Sequence, residues 1–218
     1  MKDDRTLIRD LIKRIGELDY IKTSDIPNIE LYMDQVTTFM EEHLGSCKRH
    51  EEDKILTKTM INNYSKNDLL PPSNKKKYSQ DHVIMLTLIY YFKYILSITD
   101  IKTALSPLND NYFQNEGDKN LKDIYDRVCK LCIDREHDYV KDILSKYDAS
   151  CKEFPTDPDD VDPEESAYIH RFSFLCMLGF DVYIKKVVME ALIDEMRAEQ
   201  EAKNSATRKK KEPDKDKK

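Results

Sequence analysis

The stretch 57–81, TKTMINNYSKNDLLPPSNKKKYSQD, decides how this chain of 218 residues is interpreted. Thr57 is a good helix N-cap and begins a short helix, which ends near Asp68 because the Pro-Pro pair that follows cannot continue it. Residues 73–78 then form a turn with three consecutive lysines, and Ser79 caps a strongly apolar helix. The segment therefore predicts a short exposed helix, a basic turn and a buried helix in direct succession.

The short helix, about 57–67, separates apolar anchors from an outer polar face. A helix that reads DNA presents small polar or basic side chains to the major groove, and lysines on a neighbouring turn contact phosphate. The alternative is a solvated helix and turn with an incidental lysine run, since short charge runs are common on protein surfaces. The candidate DNA-contacting residues are Lys58, Thr59, Asn62, Asn63, Tyr64, Lys66, Lys75, Lys76, Lys77 and Tyr78.

The composition favours an all-α protein with a small core and a large charged surface. Hydrophobic residues make up 39% and charged residues 36% of the chain, and the 4 glycines give little support to Gly-rich phosphate loops or β-rich folds. The net charge of −6 argues against indiscriminate nucleic-acid binding, but it is compatible with a local basic face.

Periodicity and breakers outline the remaining helices. Asn28 is predicted to cap a helix that runs to about Leu44, with Gly45 at its C′ position. Pro107 is expected to stop a short helix that starts after Ser97. The other expected helices are 4–20, a helix from Ser79 to about Leu96, a single long helix over 119–147, and a last helix from Pro163 toward Ala202 that follows an acidic linker at 152–165.

Three short motifs resemble, in order, the core, stop and wing end of a known DNA-binding motif. Ile61-Asn62-Asn63-Tyr64, Asp68-Leu69-Leu70-Pro71 and Lys77-Tyr78-Ser79 are similar to the winged helix-turn-helix of mercury-resistance-regulator (MerR) type proteins. Asn62 and Asn63 replace an Arg and a Tyr of that pattern, and a polar insert of about a dozen residues precedes the second helix. The stretch 26–36, IPNIELYMDQV, together with 60–64, MINNY, is also similar to an uncharacterised bacterial family, a domain of unknown function with a MerR-like fold, and this resemblance spans about 5–145.

The resemblance implies a sequence-specific double-stranded DNA-binding protein, a bacterial transcriptional regulator. The turn-rich residues 106–117 are expected to mark a domain boundary, between a helical region 1–106 that holds the winged helix-turn-helix at about 28–106 and a region 107–202 that dimerises or holds a small-molecule effector. The basic, low-complexity tail at 203–218 is expected to be disordered. The alternative is a helical protein–protein adaptor that has lost DNA reading. An enzyme is not expected, because the chain contains no nucleophile elbow, P-loop or dinucleotide fingerprint.

The cysteines and histidines predict no cofactor or metal site. The 5 cysteines have no framework spacing, so we expect reduced thiols in a cytoplasmic protein. Cys129 and Cys132 have C-x-x-C spacing without a second pair, which favours small apolar core residues over a zinc or redox site. The five histidines form no metal or triad pattern, and we expect them at the surface or its edge. No membrane span is expected, because the apolar run 83–98 is short and contains Lys93.

The last helix carries an apolar stripe at nearly coiled-coil spacing. A second apolar set widens the stripe, so intramolecular packing and a homodimer seam both remain open at this stage. Reading a palindromic DNA site favours the dimer. The stripe consists of Tyr168, Phe172, Leu175, Val182, Met189, Ile193 and Met196.

Overall fold

The computed structural model describes residues 4–16, 20–115, 117, 119–154 and 163–211. The chain is mostly helical, which confirms the all-α class; the described strands form one antiparallel pair, in which Leu31 lies opposite Tyr78 and Tyr32 opposite Lys77. The elements are α1 (Asp4–Gly16), β1 (Leu31–Tyr32), α2 (Met33–Leu44), a 3-10 helix (Gly45–Cys47), α3 (Lys58–Lys66), β2 (Lys77–Tyr78), α4 (Gln80–Phe92), α5 (Ile98–Asn111), α6 (Leu121–Ile133), α7 (Glu136–Glu153) and α8 (Pro163–Lys211).

Helix α4 is the centre of the hydrophobic core. Its sequence is apolar on every side, which is the pattern of a buried rather than an amphipathic helix. Val83, Ile84, Met85, Leu86 and Ile89 are all fully buried. The core continues into the inner faces of α2, α3, α5 and α6, so these helices are arranged around α4.

The start of α2 differs from the prediction. Asn28 does not cap it, because residues 31–32 pair with β2 and the helix begins only after this strand. The Tyr32 N–H donates to Oε1 of Gln35 at 2.8 Å, so a side chain inside the helix satisfies this amide. Gly45 is also not a left-handed C′ residue: its φ is −58°, and the chain continues into the 3-10 helix.

Helix α5 continues through Pro107, which was predicted to end it. A proline inside a helix leaves the carbonyl four residues earlier without its intrahelical donor. Here that carbonyl belongs to Thr103, and Nε2 of Gln200 in α8 donates to it at 2.9 Å. The tertiary hydrogen bond replaces the missing one, and the predicted domain boundary at 106 falls inside a continuous helix.

The C-terminal half contains two further corrections. The predicted single helix 119–147 is divided at Asp134 and Arg135, because α6 packs on α4 whereas α7 packs on α1 and α8. The tail predicted to be disordered from Lys203 is helical through Lys211, since Ala, Glu, Lys and Arg extend α8. Residues 212–218 of that tail, and 155–162 of the acidic linker, lie outside the described residues.

Candidate nucleic-acid interface

Helix α3 presents one polar face to solvent. Thr57 caps it as predicted, with Oγ1 accepting a hydrogen bond from the Met60 N–H at 3.2 Å. Ile61 and Tyr64 are buried and attach the helix to the core. The five outer residues that were predicted to face outward are all exposed: Lys58, Thr59, Asn62, Asn63 and Lys66.

The charge at the start of α3 is opposite to that of most other helices in the chain. Helices α2, α4, α5, α6 and α7 each carry an acidic residue in the first turn, where it interacts favourably with the helix dipole. The first turn of α3 has none and begins with Lys58. Lys58 forms an ion pair with Asp34 of α2, but both side chains are largely exposed. The N-terminal end of α3 therefore combines a positive side chain with the positive end of the dipole.

The three-lysine turn is a tight hairpin bend, which we call the wing (residues 73–78). Asn74 and Lys77 exchange backbone hydrogen bonds of 3.1 and 2.8 Å across the turn. Lys75 and Lys76 form its tip with φ values of 49° and 64°, in the left-handed region that non-glycine residues seldom adopt. Both tip side chains are exposed, whereas Nζ of Lys77 lies 5.6 Å from the ring centre of Tyr32. The backbone thus projects two lysines and holds the third against β1.

Tyr64 and Tyr78, which were predicted to contact DNA, are buried. The Tyr64 carbonyl accepts the Leu69 N–H at 2.9 Å and so closes the end of α3, and burial raises the pKa of its phenol. The Tyr78 ring packs edge-on against the ring of His82, with 5.4 Å between centres. These tyrosines support α3 and the wing from inside, and the candidate contacts reduce to the eight polar residues.

His82 is a structural residue in the interior, whereas the sequence predicted a position at the surface or its edge. It is buried at the third position of α4, where Nδ1 accepts the Ser79 N–H at 3.0 Å and Nε2 lies 3.4 Å from the Pro72 carbonyl oxygen. Its ring also contacts the ring of Phe113. Burial lowers the pKa of this imidazole. The signal for this role was the Ser-x-x-His spacing, which is analogous to the Ser-x-x-Glu capping box.

Asp68 ends α3 in a conformation that usually belongs to glycine. Its φ is 56°, and the amides of Asp68 and Leu69 bond back to the Ser65 and Tyr64 carbonyls, as in a Schellman motif. The Asp68 carboxylate pairs with Lys102 of α5 at 2.9 Å. The Asp68 carboxylate, which lies next to the basic face of α3, is therefore paired with a lysine of α5.

The apolar stripe of α8 is divided between two environments. Ile193 is buried and Met189 partly buried against the core, near the contact of α8 with α5. Phe172, Leu175 and Val182 are 53%, 64% and 60% exposed. The C-terminal part of the predicted seam is thus intramolecular core, and the part before residue 189 is an uncovered apolar face.

Metal sites and membrane spans are not found in the part of the chain that the structure describes. No three His, Cys, Asp or Glu residues lie in a metal-binding arrangement within the described ranges. None of the helices described is both long and apolar enough to cross a membrane.

Comparison with known proteins gives one match. The family model described as Domain of unknown function (DUF1836) matches residues 21–128, a range that begins before β1 and ends inside α6. No curated protein and no solved structure matches the chain. The matched range includes all of α3, the wing and α4. The polar face of α3 and the basic wing therefore lie within the part of the chain, residues 21–128, that matches the DUF1836 model.

Proposed function

We propose that the chain is a sequence-specific double-stranded DNA-binding protein with a MerR-like winged helix-turn-helix, acting as a bacterial transcriptional regulator. The observation that carries the proposal is the basic surface of α3 and the wing. Residues 57–78 contain five lysines and one aspartate, whereas the whole chain has a net charge of −6. Within the described structure, no carboxylate pairs with Lys66, Lys75 or Lys76.

The order of elements supports the resemblance. The chain runs β1, α2, α3, β2, α4, α5, and the strand before the first helix pairs with the strand that leaves the wing. This pairing places the wing beside α2 and at the start of α4. This order and pairing support a winged helix-turn-helix in which a longer connection, residues 45–57, separates the two helices.

In this proposal α3 lies in the major groove. Its nine residues span about 13 Å, a length compatible with insertion into that groove. Asn62 and Asn63 carry amides suited to bidentate hydrogen bonds with adenine. Lys75 and Lys76 at the wing tip, together with Lys58, contact the flanking phosphates, which fix the register but carry no sequence information.

A single α3 reads too few base pairs to specify one genomic site, so the proposal includes a homodimer. The exposed apolar face of α8 offers a surface for the second copy. Phe172, Leu175 and Tyr183 lie on it, and Phe174, which is buried, lies on the opposite side of α8. Two copies of the same helix related by a two-fold axis would cover each other's stripes, as in a coiled coil.

The DNA proposal is tested by selecting bound fragments from a random double-stranded library and titrating the enriched sequence by fluorescence anisotropy at several salt concentrations. Replacing the three wing lysines (K75A/K76A/K77A) should weaken binding to all sequences and reduce the salt slope by about 0.9 for each phosphate that is no longer neutralised. The matched control K122A/K130A/K141A removes the same charge from exposed positions on α6 and α7 and should leave the slope unchanged.

Two results would contradict the proposal. The first is a selection that enriches no sequence, and the second is an equal change of slope in both triple variants. The second candidate function is a helical protein–protein adaptor, favoured by the exposed apolar face of α8 and by the ion pair of Lys58 with Asp34. An adaptor predicts no enriched DNA sequence, whereas a DNA-binding regulator requires one.

A further inference from the structure

A cavity of about 500 Å³ lies between α4 and α6. It is at the C-terminal end of α4, whereas the wing joins the N-terminal end of the same helix. The walls of the cavity come from the C-terminal end of α4 and the residues just after it, from one face of α6, and from Tyr20 and Cys47. A volume of this size is within the range of small-molecule sites, about 300–1,000 Å³. The cavity thus has the dimensions of a ligand-binding site.

The cavity exists because α6 faces α4 with small side chains. Val128, Cys129 and Cys132 follow Tyr125 at helical spacing and line one wall. The C-x-x-C spacing predicts small core residues, which would pack against their neighbours. Instead, their short side chains leave an apolar cleft between the two helices, open to solvent at Val128 and Tyr94, which are 44% and 71% exposed. An apolar ligand in the cleft would remove this surface from water.

The lining selects an uncharged and largely aromatic ligand. The lining side chains within the described structure carry no formal charge, and the nearby Lys93 ammonium already donates to the Ile55 carbonyl, so a charged group placed there would lose its hydration with little compensation. Tyr20, Tyr90 and Tyr91 form a group of rings with neighbouring centres 5.8 and 5.6 Å apart, which suits edge and face contacts with another ring. Burial raises the pKa of Tyr91, so its hydroxyl stays protonated as a neutral hydrogen-bonding group.

The cavity is connected to the start of α3 through Lys93. Tyr90 and Tyr94 line the cavity, and Nζ of Lys93 lies over both rings, at 4.6 and 4.7 Å from their centres. The same ammonium donates to the Ile55 carbonyl at 2.8 Å. Ile55 lies two residues before Thr57, the cap of α3. A ligand that fixes the two tyrosines would therefore fix the segment from which α3 begins.

We propose that this cavity binds an uncharged aromatic small molecule and that its occupancy is transmitted to α3 through Lys93. The binding site does not depend on the proposed DNA function. Only the expectation that the ligand regulates DNA binding rests on that function. By linkage, a ligand that alters α3 would alter DNA affinity, and DNA would alter ligand affinity by the same factor.

The site is tested with N-phenyl-1-naphthylamine, a neutral aromatic fluorophore, titrated into the full chain. Saturable binding of one probe per chain is expected. Cys132→Phe places a ring in the cavity and should weaken binding about tenfold or more, whereas Cys176→Phe adds the same ring at an exposed position of α8 and should leave affinity unchanged. An equal effect of both variants, or a binding site abolished by Phe172→Glu on the α8 stripe, would overturn the assignment.

The native thiols provide a second measurement that needs no substitution. Saturating probe should slow alkylation of Cys129 and Cys132 by N-ethylmaleimide, read by mass spectrometry, while exposed Cys176 reacts at its original rate. Unchanged alkylation of all three thiols would refute the cavity as the site.

Transmission is measured by hydrogen exchange of the α3 amides, which requires no DNA. Probe binding should slow exchange over Lys58–Lys66 in the wild-type chain. Lys93→Met, measured at its own probe saturation, should abolish this effect. If wild-type exchange in α3 is unchanged at saturation, or if Lys93→Met responds as the wild type does, then transmission through Lys93 is wrong. A failure of the DNA selection would leave all these results unaffected.

Discussion

One variant of the wing tip can separate the effect of its charge on DNA binding from the effect of its backbone conformation on the stability of the fold. Lys75 and Lys76 both have positive φ in a two-residue hairpin turn, where Asn-Gly is the preferred pair. The variant K75N/K76G should therefore stabilise the fold. A left-handed backbone costs roughly 1–2 kcal/mol for a residue with a side chain, and a glycine at the second tip position removes this cost. Because glycine loses more conformational freedom on folding, about 0.5–1 kcal/mol of that gain is lost again. The asparagine keeps part of the left-handed cost at the first tip position, so the net gain is about 1 kcal/mol.

This gain should appear as a rise in melting temperature of about 2–4 °C for a chain of this size, measured by circular dichroism. The same variant removes two lysines that the proposal assigns to phosphate contacts. The slope of log affinity against log salt concentration should fall by about 2 units on the selected DNA site. A more stable protein that binds DNA less well cannot be explained by loss of folding.

The control K122Q/K130Q removes two lysines from α6 and should change neither the salt slope nor the wing. Two outcomes would refute the reasoning about the turn and its charge separately. A lower melting temperature in K75N/K76G would show that the left-handed lysines are not strained. An unchanged salt slope would show that the tip does not contact phosphate.

Three further predictions concern the same region. If Asn62 or Asn63 makes a bidentate adenine contact, its replacement by Ala should cost roughly 1–3 kcal/mol on the selected site and little on random DNA, as read by anisotropy; equal losses would indicate a backbone role. Asp68→Gly should raise the urea midpoint of unfolding, because glycine adopts without strain the left-handed C′ conformation that Asp68 has at φ 56°. A lower midpoint would mean that the exposed ion pair with Lys102 contributes more than the strain costs. Burial lowers the pKa of His82 in the folded chain, so the unfolded chain binds the proton more readily and stability should fall as pH drops below about 6.5. His82→Gln keeps a capping side chain without this titration and should flatten the fall between about pH 7.5 and 5.5 in urea unfolding; identical pH dependence in both proteins would show that another group is responsible.

The sequence predicted the elements whose cause is local. Thr57 and Ser97 cap their helices through their own hydroxyls, each accepting an amide three residues on, at 3.2 and 3.1 Å. The division of α3 into a buried and an exposed face also followed from spacing alone. Such features depend on residues within one or two turns of each other, so the order of residues contains the necessary information.

The errors have causes that lie far away in the chain. The strand that delays α2 requires β2, about 45 residues later, and the continuation of α5 through Pro107 requires Gln200. The cavity depends on the packing of α6 against α4, which the C-x-x-C spacing alone does not reveal. His82 was missed for a different reason: its capping role is local, but histidine is an uncommon choice at that position.

The places where the chain departs from local stability rules are concentrated near one surface. Of the four described non-glycine residues with positive φ, Asp68, Lys75 and Lys76 lie between the end of α3 and the wing. Lys58 stands where five other helices carry an acid. Each choice costs stability that a glycine or an acidic residue would restore, and residues kept in unfavourable positions are concentrated at functional sites. These costs and the lysine charge occur together in residues 58–77, the segment to which the proposed function assigns the DNA contacts.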